Sequence, residues 1–467
     1  MIPARCVPAS VLLLTMCACK LGPNYQRPAL KVPDQYRGLA PDATPSQAPA
    51  QPPAEAFGEM KWFSVFQDKV LEDLIREALV SNYNVQIAAT RVAQAQAIVG
   101  ITRADQFPSV SGSAGIQEVK SQLFPKQSTY GFGALQAGYI VDFWGQYRRA
   151  TEAARANLVA TQYGQQVVRT TLISDLASAY FRLRQYDQQL EYSQKTLAAD
   201  QDLLRLNTIN FKGGEFAETD VLQAQLLVQQ AEAQIISLHQ LIEQTENAIS
   251  VLVGRNPGSI SRGISLTEQP HMPEVPVGLP STLLQRRPDV RQAEMSLVAA
   301  NANVGVAKSA FFPQFALTGQ FGAQATSVTT FLQVPTTFWA VAAQATQPIF
   351  EGGRIRSNYK LAWARRDEAE VAYRQSVQLA VADVSNSLVG YTQSRQYRAK
   401  IQEQTDTYHE TARLASVRFT GGATSFLEVL VTQQQYFTSQ LALAQAWSDE
   451  LQNYVELYRV LGGGWEL

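Results

Sequence analysis

The 467 residues carry 39 Lys and Arg against 40 Asp and Glu, a formal net charge of −1, and only 17% of them are charged. A near-neutral chain offers no basic face to a polyanion, so no nucleic-acid partner is expected. The charged share falls below the usual quarter. Gln, Asn, Ser, Thr and Ala fill the difference, which suits surfaces that are wet but weakly charged.

Arg5 followed by the apolar run Val7 to Met16 reads as a secretory signal peptide over residues 1–18. The run is too short to span a bilayer as a helix, which needs about 20 residues. The three cysteines, Cys6, Cys17 and Cys19, all lie in or beside it, so the mature body has no disulfide framework. Cys19 after Ala18 resembles a bacterial lipobox and is the expected lipidation site. Cys17 is the weaker candidate, and ordinary signal cleavage with incidental cysteines is the alternative. Lys20 stands where an Asp would be the usual inner-membrane retention signal, which directs the lipoprotein to the outer membrane.

Residues 19–61 are rich in Pro, Ala and polar residues and read as an extended N-terminal strap. Residues 62–105 follow a helical pattern. Over 106–142 the period falls to two: Val110, Gly112, Ala114 and Ile116 alternate with Ser109, Ser111, Ser113 and Gln117, and Leu135, Ala137, Tyr139 and Val141 alternate with Gln136, Gly138 and Ile140. Helical pattern returns through 143–254. A linker follows at 255–280, then helical pattern at 281–311. A second alternating region at 312–350 sets Phe315, Leu317, Gly319 and Phe321 against Gln314, Ala316, Thr318 and Gln320, with Trp339, Val341, Ala343 and Ala345 on its partner strand. Residues 351–462 are again helical, and 463–467 form a tail. The alternating regions predict two hairpins of roughly ten-residue strands, a length suited to crossing a bilayer. Tyr139, Phe143, Trp339 and Phe350 suit interfacial aromatic belts.

The stretches from Trp144 to Asn207 and from Gly353 to Arg418 lack proline, and at 1.5 Å per residue each could reach about 100 Å as a helix. Leu176, Leu183, Leu190, Leu197 and Leu204 recur every seven residues, as do Leu430, Phe437, Ala444, Leu451 and Tyr458. Such heptads pack helices lengthwise against neighbours.

The halves also repeat one another. FKGGEFAETDVLQAQ from Phe211 aligns without a gap on FTGGATSFLEVLVTQQ from Phe419, and QFPSVSGS and VDFWGQYRR meet FFPQFALTG and PIFEGGRIR at nearly the same offset. A period of about two hundred residues is too long for a solenoid and implies a duplicated unit. Four strands cannot close a barrel, and an open sheet edge facing lipid leaves backbone groups unpaired at several kcal/mol each. Three copies would supply twelve strands, an even number within the range of known barrels.

In order and spacing, CKLGPNYQRP, DFWGQYRR, LLQRRPDVRQAE, AANANVGVAKSAFFPQFALTG, PIFEGGR, both Gly-Gly turns and the terminal LGGGW span nearly the whole chain. Together they resemble the TolC-like outer membrane factors, in the OprM/CusC/NodT-like lipoprotein branch of RND-type efflux systems. The resemblance implies an α+β membrane protein: a homotrimer whose 12-stranded outer-membrane β-barrel, four strands per chain, continues into a long periplasmic α-helical barrel with a mixed α/β equatorial domain. It implies an outer-membrane channel that exports drugs, toxic organics or metal ions with a periplasmic membrane-fusion adaptor and an inner-membrane RND-type pump. The expected location is the outer membrane of a Gram-negative bacterium, lipid-anchored and extending into the periplasm.

The resemblance also places Gly213, Gly214, Gly421 and Gly422 at the periplasmic tip, in turns that contact the adaptor. Each glycine can take the positive φ that reverses a helix. Thr219 is an expected N-cap. Asp220 and Glu428 hold matched positions in first helical turns, where the dipole favours an acid by about 0.3 to 1 kcal/mol. By the resemblance, Glu428 forms an acidic ring at the periplasmic constriction, and Thr219 and Asp220 belong to the gate. A second acidic position of the family falls on Val431 here, and the arginine that locks relatives shut corresponds to Thr424. In RRPD, Pro288 suits a first helical position and Asp289 the first turn. Arg286, Arg287, Arg291 and Glu294 are expected to pair across the protomer seam.

Enzyme chemistry has no support. His239, His271 and His409 are scattered without metal-ligand spacing, and GxSxG and Walker-type loops are absent, so no catalytic residue, cofactor or metal is expected. The competing reading is a lipid-anchored periplasmic coiled-coil adaptor or scaffold, which would need none of the strands in a membrane.

Overall fold

The computed structural model describes residues 20–30, 33, 68–121, 124–269, 286–325, 328–333 and 335–463. The signal sequence, both lipidation candidates, most of the strap and the last four residues lie outside these. In chain order the elements are α1 (Lys69–Ser81), α2 (Tyr83–Ala104), β1 (Ser109–Ser121), β2 (Phe124–Val141), α3 (Gln146–Lys212) and α4 (Glu218–Val253). A short 3-10 turn at Leu266–Glu268 precedes α5 (Pro288–Ser309), β3 (Gln314–Ala325), α6 (Val328–Gln333), β4 (Thr336–Thr346), α7 (Arg354–Thr420) and α8 (Phe426–Val460). The structure is mainly helical with one small sheet. No helix among the described residues is long and apolar enough to cross a membrane.

The chain divides into two compact units, the first comprising residues 1–30, 91–162 and 292–374 and the second the remainder. The first unit holds a four-stranded antiparallel sheet in the order β1-β2-β3-β4. β1 and β2 span 13 and 18 residues, longer than the ten expected from alternation alone. The pattern undercounts them because the ladder carries pairing as far as Ser121 and Phe124, with a register shift between Val119 and Ser121.

Beneath the sheet, residues 20–27 are bolted to the helices. Leu21 N–H donates to Trp144 O at 3.1 Å. The buried Arg149 guanidinium donates to Leu21 O, Gly22 O and Asn24 Oδ1 and pairs with Glu152 at 3.1 Å. Arg27 grips the buried Glu294 through two bonds, at 2.7 and 2.5 Å. Gly22 (φ +96°) lies against Gly305, where a Cβ would stand 2.5 Å from Gly305 Cα. At this point the backbones of the strap and α5 come this close because both residues lack side chains.

The second unit is organised by the heptads. Leu176 and Leu183 of α3 and Leu451 and Tyr458 of α8 are fully or almost fully buried in one cluster with Leu71 and Ile75 of α1. Asp68 knots this region. Its carboxylate caps α1 by accepting from Val70 N–H at 2.9 Å, and it also accepts from Tyr180 Oη at 2.9 Å and Ile264 N–H at 3.0 Å. Asn82 divides the first helical stretch: its Oδ1 accepts from Asn84 and Val85 N–H, capping α2, while its Nδ2 donates to Leu252 O at 2.8 Å.

Two expectations for RRPD need correction. Arg287 is buried and pairs within the chain, with Asp289 at 2.7 Å and Asp383 at 3.0 Å, and Glu294 is held by Arg27. Both charges are therefore satisfied inside one protomer. Arg291 lies over the Tyr163 ring at 5.6 Å. Pro288 is the first residue of α5, where its missing N–H costs no helical bond.

Candidate functional site

Residues directly opposite in a ladder share a face, so the registers define both sides of the sheet. One row reads Val110, Ala137, Gly319, Val341, and the next Gly112, Leu135, Phe321, Trp339. These side chains are solvent-exposed in the isolated chain: Val110 70%, Trp339 76%, Val341 77%. The intervening row reads Ser111, Gln136, Gln320, Ala340. Along these rows one face is thus apolar and uncovered, with Phe331 of α6 packed over its Gly131–Gly133 end, and the other is small and amide-rich. An uncovered apolar face across four strands marks contact with lipid or another chain. β1 and β4 are the two edges, and within the chain they do not pair with each other.

In the second unit, the two Gly-Gly turns have one geometry. Gly214 N–H donates to Phe211 O and Glu215 N–H to Asn210 O; in the second turn Gly422 donates to Phe419 O and Ala423 to Arg418 O. These are paired Schellman-type closures. Positive φ occurs at Gly214 (80°) and Gly422 (71°) but not at Gly213 or Gly421, which correct the expectation for the first glycine of each pair. Gly213 and Gly421 continue the helical bonding to Ile209 O and Val417 O, so they need no left-handed backbone. The turns are brought together by aromatic packing. Phe216 and Phe426 each lie 5.7 Å from the Phe419 ring, centroid to centroid. Below them Ala224, Ala415, Phe426 and Val429 form a small buried cluster.

The matched acids behave differently. α4 begins at Glu218 with Ala217 as its N-cap, so Thr219 is not the cap and stands exposed one residue inside the helix. Asp220 does that work: its Oδ2 accepts from Ala217 N–H at 3.2 Å, while Asn207 Nδ2 donates to Asp220 O at 3.2 Å. In the second turn the longer Glu428 side chain leaves its cap. It accepts from Arg418 Nη1 at 2.9 Å and from the Thr424 hydroxyl. Arg418 belongs to none of the motifs read from the sequence. The signal lay in its place at the end of α7, where a cation is favoured, ten residues from an acid across a tight reversal. No group of three or more His, Cys, Asp or Glu able to hold a metal occurs among the described residues.

This architecture, long paired helices carrying a small antiparallel sheet with one bare apolar face, defines a class of channel-forming membrane protein. The model of the outer membrane efflux protein family matches residues 74–255 and 279–463, and the chain belongs to that family. It is 34% identical over 464 residues to the solvent efflux pump outer membrane protein SrpC of Pseudomonas putida, with 97% of each chain covered. It is 29% identical over 468 residues to the cation efflux system protein CusC of Escherichia coli O6:H1, covering 100% of both. Among solved structures, CusC superposes with a TM-score of 0.84 at 27% identity, covering 96% of this chain and 100% of that one. The open state of the Neisseria gonorrhoeae MtrE outer membrane channel gives 0.85 at 27% identity, covering 96% and 99%. The protein is an outer membrane efflux channel of a Gram-negative bacterium, a transport protein and not an enzyme.

Proposed function

We propose that three copies close their sheets edge to edge, β4 of one against β1 of the next, into a twelve-stranded barrel. The bare apolar face of the sheet carries this reading. In lipid every backbone group must find a partner, and two open edges per chain can find one only in other copies. The near-equal lengths of α3 and α7, 67 residues each, and of α4 and α8, 36 and 35, support a duplicated unit with the domain boundaries read from the sequence. The channel works with a periplasmic adaptor and an inner-membrane RND-type pump, and passes small molecules: drugs, toxic organics or metal ions. Cys19 is acylated and anchors the strap.

The turns at Gly213–Gly214 and Gly421–Gly422 contact the adaptor, and Glu428 lines the constriction as a three-fold ring. Its pairing with Arg418 supports a constriction less acidic than the side chain alone implies, while the Asp220 cap supports a stiffening role for Asp220 and Thr219 in the gate. Purified full-length protein reconstituted in planar bilayers tests this function. Discrete conductance steps from a species of trimer mass are expected. A monomer that stays in the aqueous phase once its lipid is removed would favour the lipid-anchored adaptor or scaffold instead.

A further inference from the structure

In the second unit, α3, α4, α7 and α8 flank a half-open cavity of about 590 Å³, within the usual range for small-molecule sites. Its walls mix apolar and aromatic side chains, Leu227 and Ala231 from α4 and Tyr436 and Phe437 from α8, with amides such as Gln230 and Gln434. Asp200 of α3 lines it at 4% exposure. Asp200 belongs to a heptad row of buried polar residues, Ser193, Asp200 and Asn207. Ser193 donates to Gln189 O and Asn207 to Asp220 O, so both are satisfied. Among the described residues none donates a hydrogen bond to Asp200, and burial alone pushes its carboxyl up to about 6. Asp200 is thus a mostly buried acid with no protein donor, whose carboxylate opens onto a groove of ligand size.

The other ionisable groups at the cavity are Lys195 on α3, His409 and Arg413 on α7, and Tyr436 on α8; α4 contributes none. Lys195 is paired with Glu191 at 2.6 Å, and Arg413 is forked onto Glu410 at 2.8 and 2.7 Å. Both cations are thus held by their own helices at exposed positions. The His409 ring packs on Tyr436 at 5.1 Å. Asp200 is left as the unmatched charge, with aromatic faces that favour a cation.

We propose that this cavity binds amphiphilic organic cations, a positive centre on an apolar or aromatic body, with Asp200 as counter-ion and Tyr436 and Phe437 as walls. The site is separate from the Gly-Gly turns and does not depend on the roles assigned to Glu428 or Asp220. A bound cation would neutralise the carboxylate and fill the space between the four helices.

The test is equilibrium dialysis of full-length protein in dodecyl maltoside with tetraphenylphosphonium, a permanent cation, against empty micelles. Saturable binding of one probe per chain is expected, about tenfold weaker at pH 5 than at pH 7.5 as the carboxylate protonates. The pH dependence of Asp200→Asn, which keeps every other group of the site, is subtracted. Asp200→Asn should weaken binding at least tenfold, and Ala199→Trp, which fills the cavity with the acid intact, should abolish it; both should elute at wild-type size. Wild-type affinity in either variant, or a pH dependence unchanged in Asp200→Asn, would overturn the proposal.

Discussion

Arg418 Nη1 and Glu428 Oε1 stand 2.9 Å apart across the second Gly-Gly turn, whereas Asp220, the counterpart of Glu428 in the first turn, reaches back to its own helix cap. The pair is largely exposed, so its contribution to stability is small, about 0.2 to 1 kcal/mol. Its consequence is electrostatic. If Glu428 lines a three-fold constriction, Arg418 offsets its charge there. Arg418→Gln should raise cation selectivity in planar bilayers and Glu428→Gln should lower it. Reversal potentials that move the same way, or not at all, would remove both residues from the ion path.

Leu135 and Val341 lie on the bare face, with Gln136 and Gln320 on the other. An arginine facing lipid near the bilayer midplane costs about 2–4 kcal/mol. Leu135→Arg and Val341→Arg should therefore deplete outer-membrane trimer in fractionation, while Gln136→Arg and Gln320→Arg should assemble. Equal assembly of all four would mean that the apolar face does not meet lipid.

The glycines of each turn differ in backbone. Alanine at Gly214 or Gly422 must enter the left-handed region, at about 1–2 kcal/mol. Gly213→Ala and Gly421→Ala stay in helical geometry and should be neutral or slightly stabilising, by up to about 1 kcal/mol. Thermal unfolding of the four variants checks the order. A larger loss at the first glycine of either pair would contradict the closure described.

Asp200 makes stability depend on pH. Its folded value of about 6 lies above the ordinary carboxylate value, because burial disfavours the ion. The folded state therefore takes up protons more readily than the unfolded chain. The associated stability is fully present below about pH 4 and is lost as pH rises through 6, amounting to at most about 3 kcal/mol per chain. Asp200→Asn should raise the unfolding temperature at pH 7.5 and leave it nearly unchanged at pH 4. Equal effects at both values would mean that the carboxylate is solvated.

Much of the fold was legible because its periods are clean. Leucines every seven residues over Leu176–Leu204 and serines alternating with Val110, Gly112 and Ala114 announce a buried seam and a two-faced strand. Side-chain bonds to distant elements were not legible. Thr219 looks like a cap, yet the chain extends through Ala217 and Asp220 closes it. Arg287 and Glu294 look like seam charges, yet Asp383 and Arg27 lie within reach only after folding. Which glycine of a pair carries positive φ depends on where the preceding helix runs out of acceptors.

The sequence by itself determined which faces are apolar, where helices can run uninterrupted and where they reverse, because periodicity and backbone permissiveness are local properties. Only the tertiary structure decided the electrostatics. Whether an acid caps its own helix, pairs with Arg418 or opens onto a cavity depends on which groups folding brings beside it. Asp220, Glu428 and Asp200 are chemically near-equivalent carboxylates, and packing gives each a different neighbour.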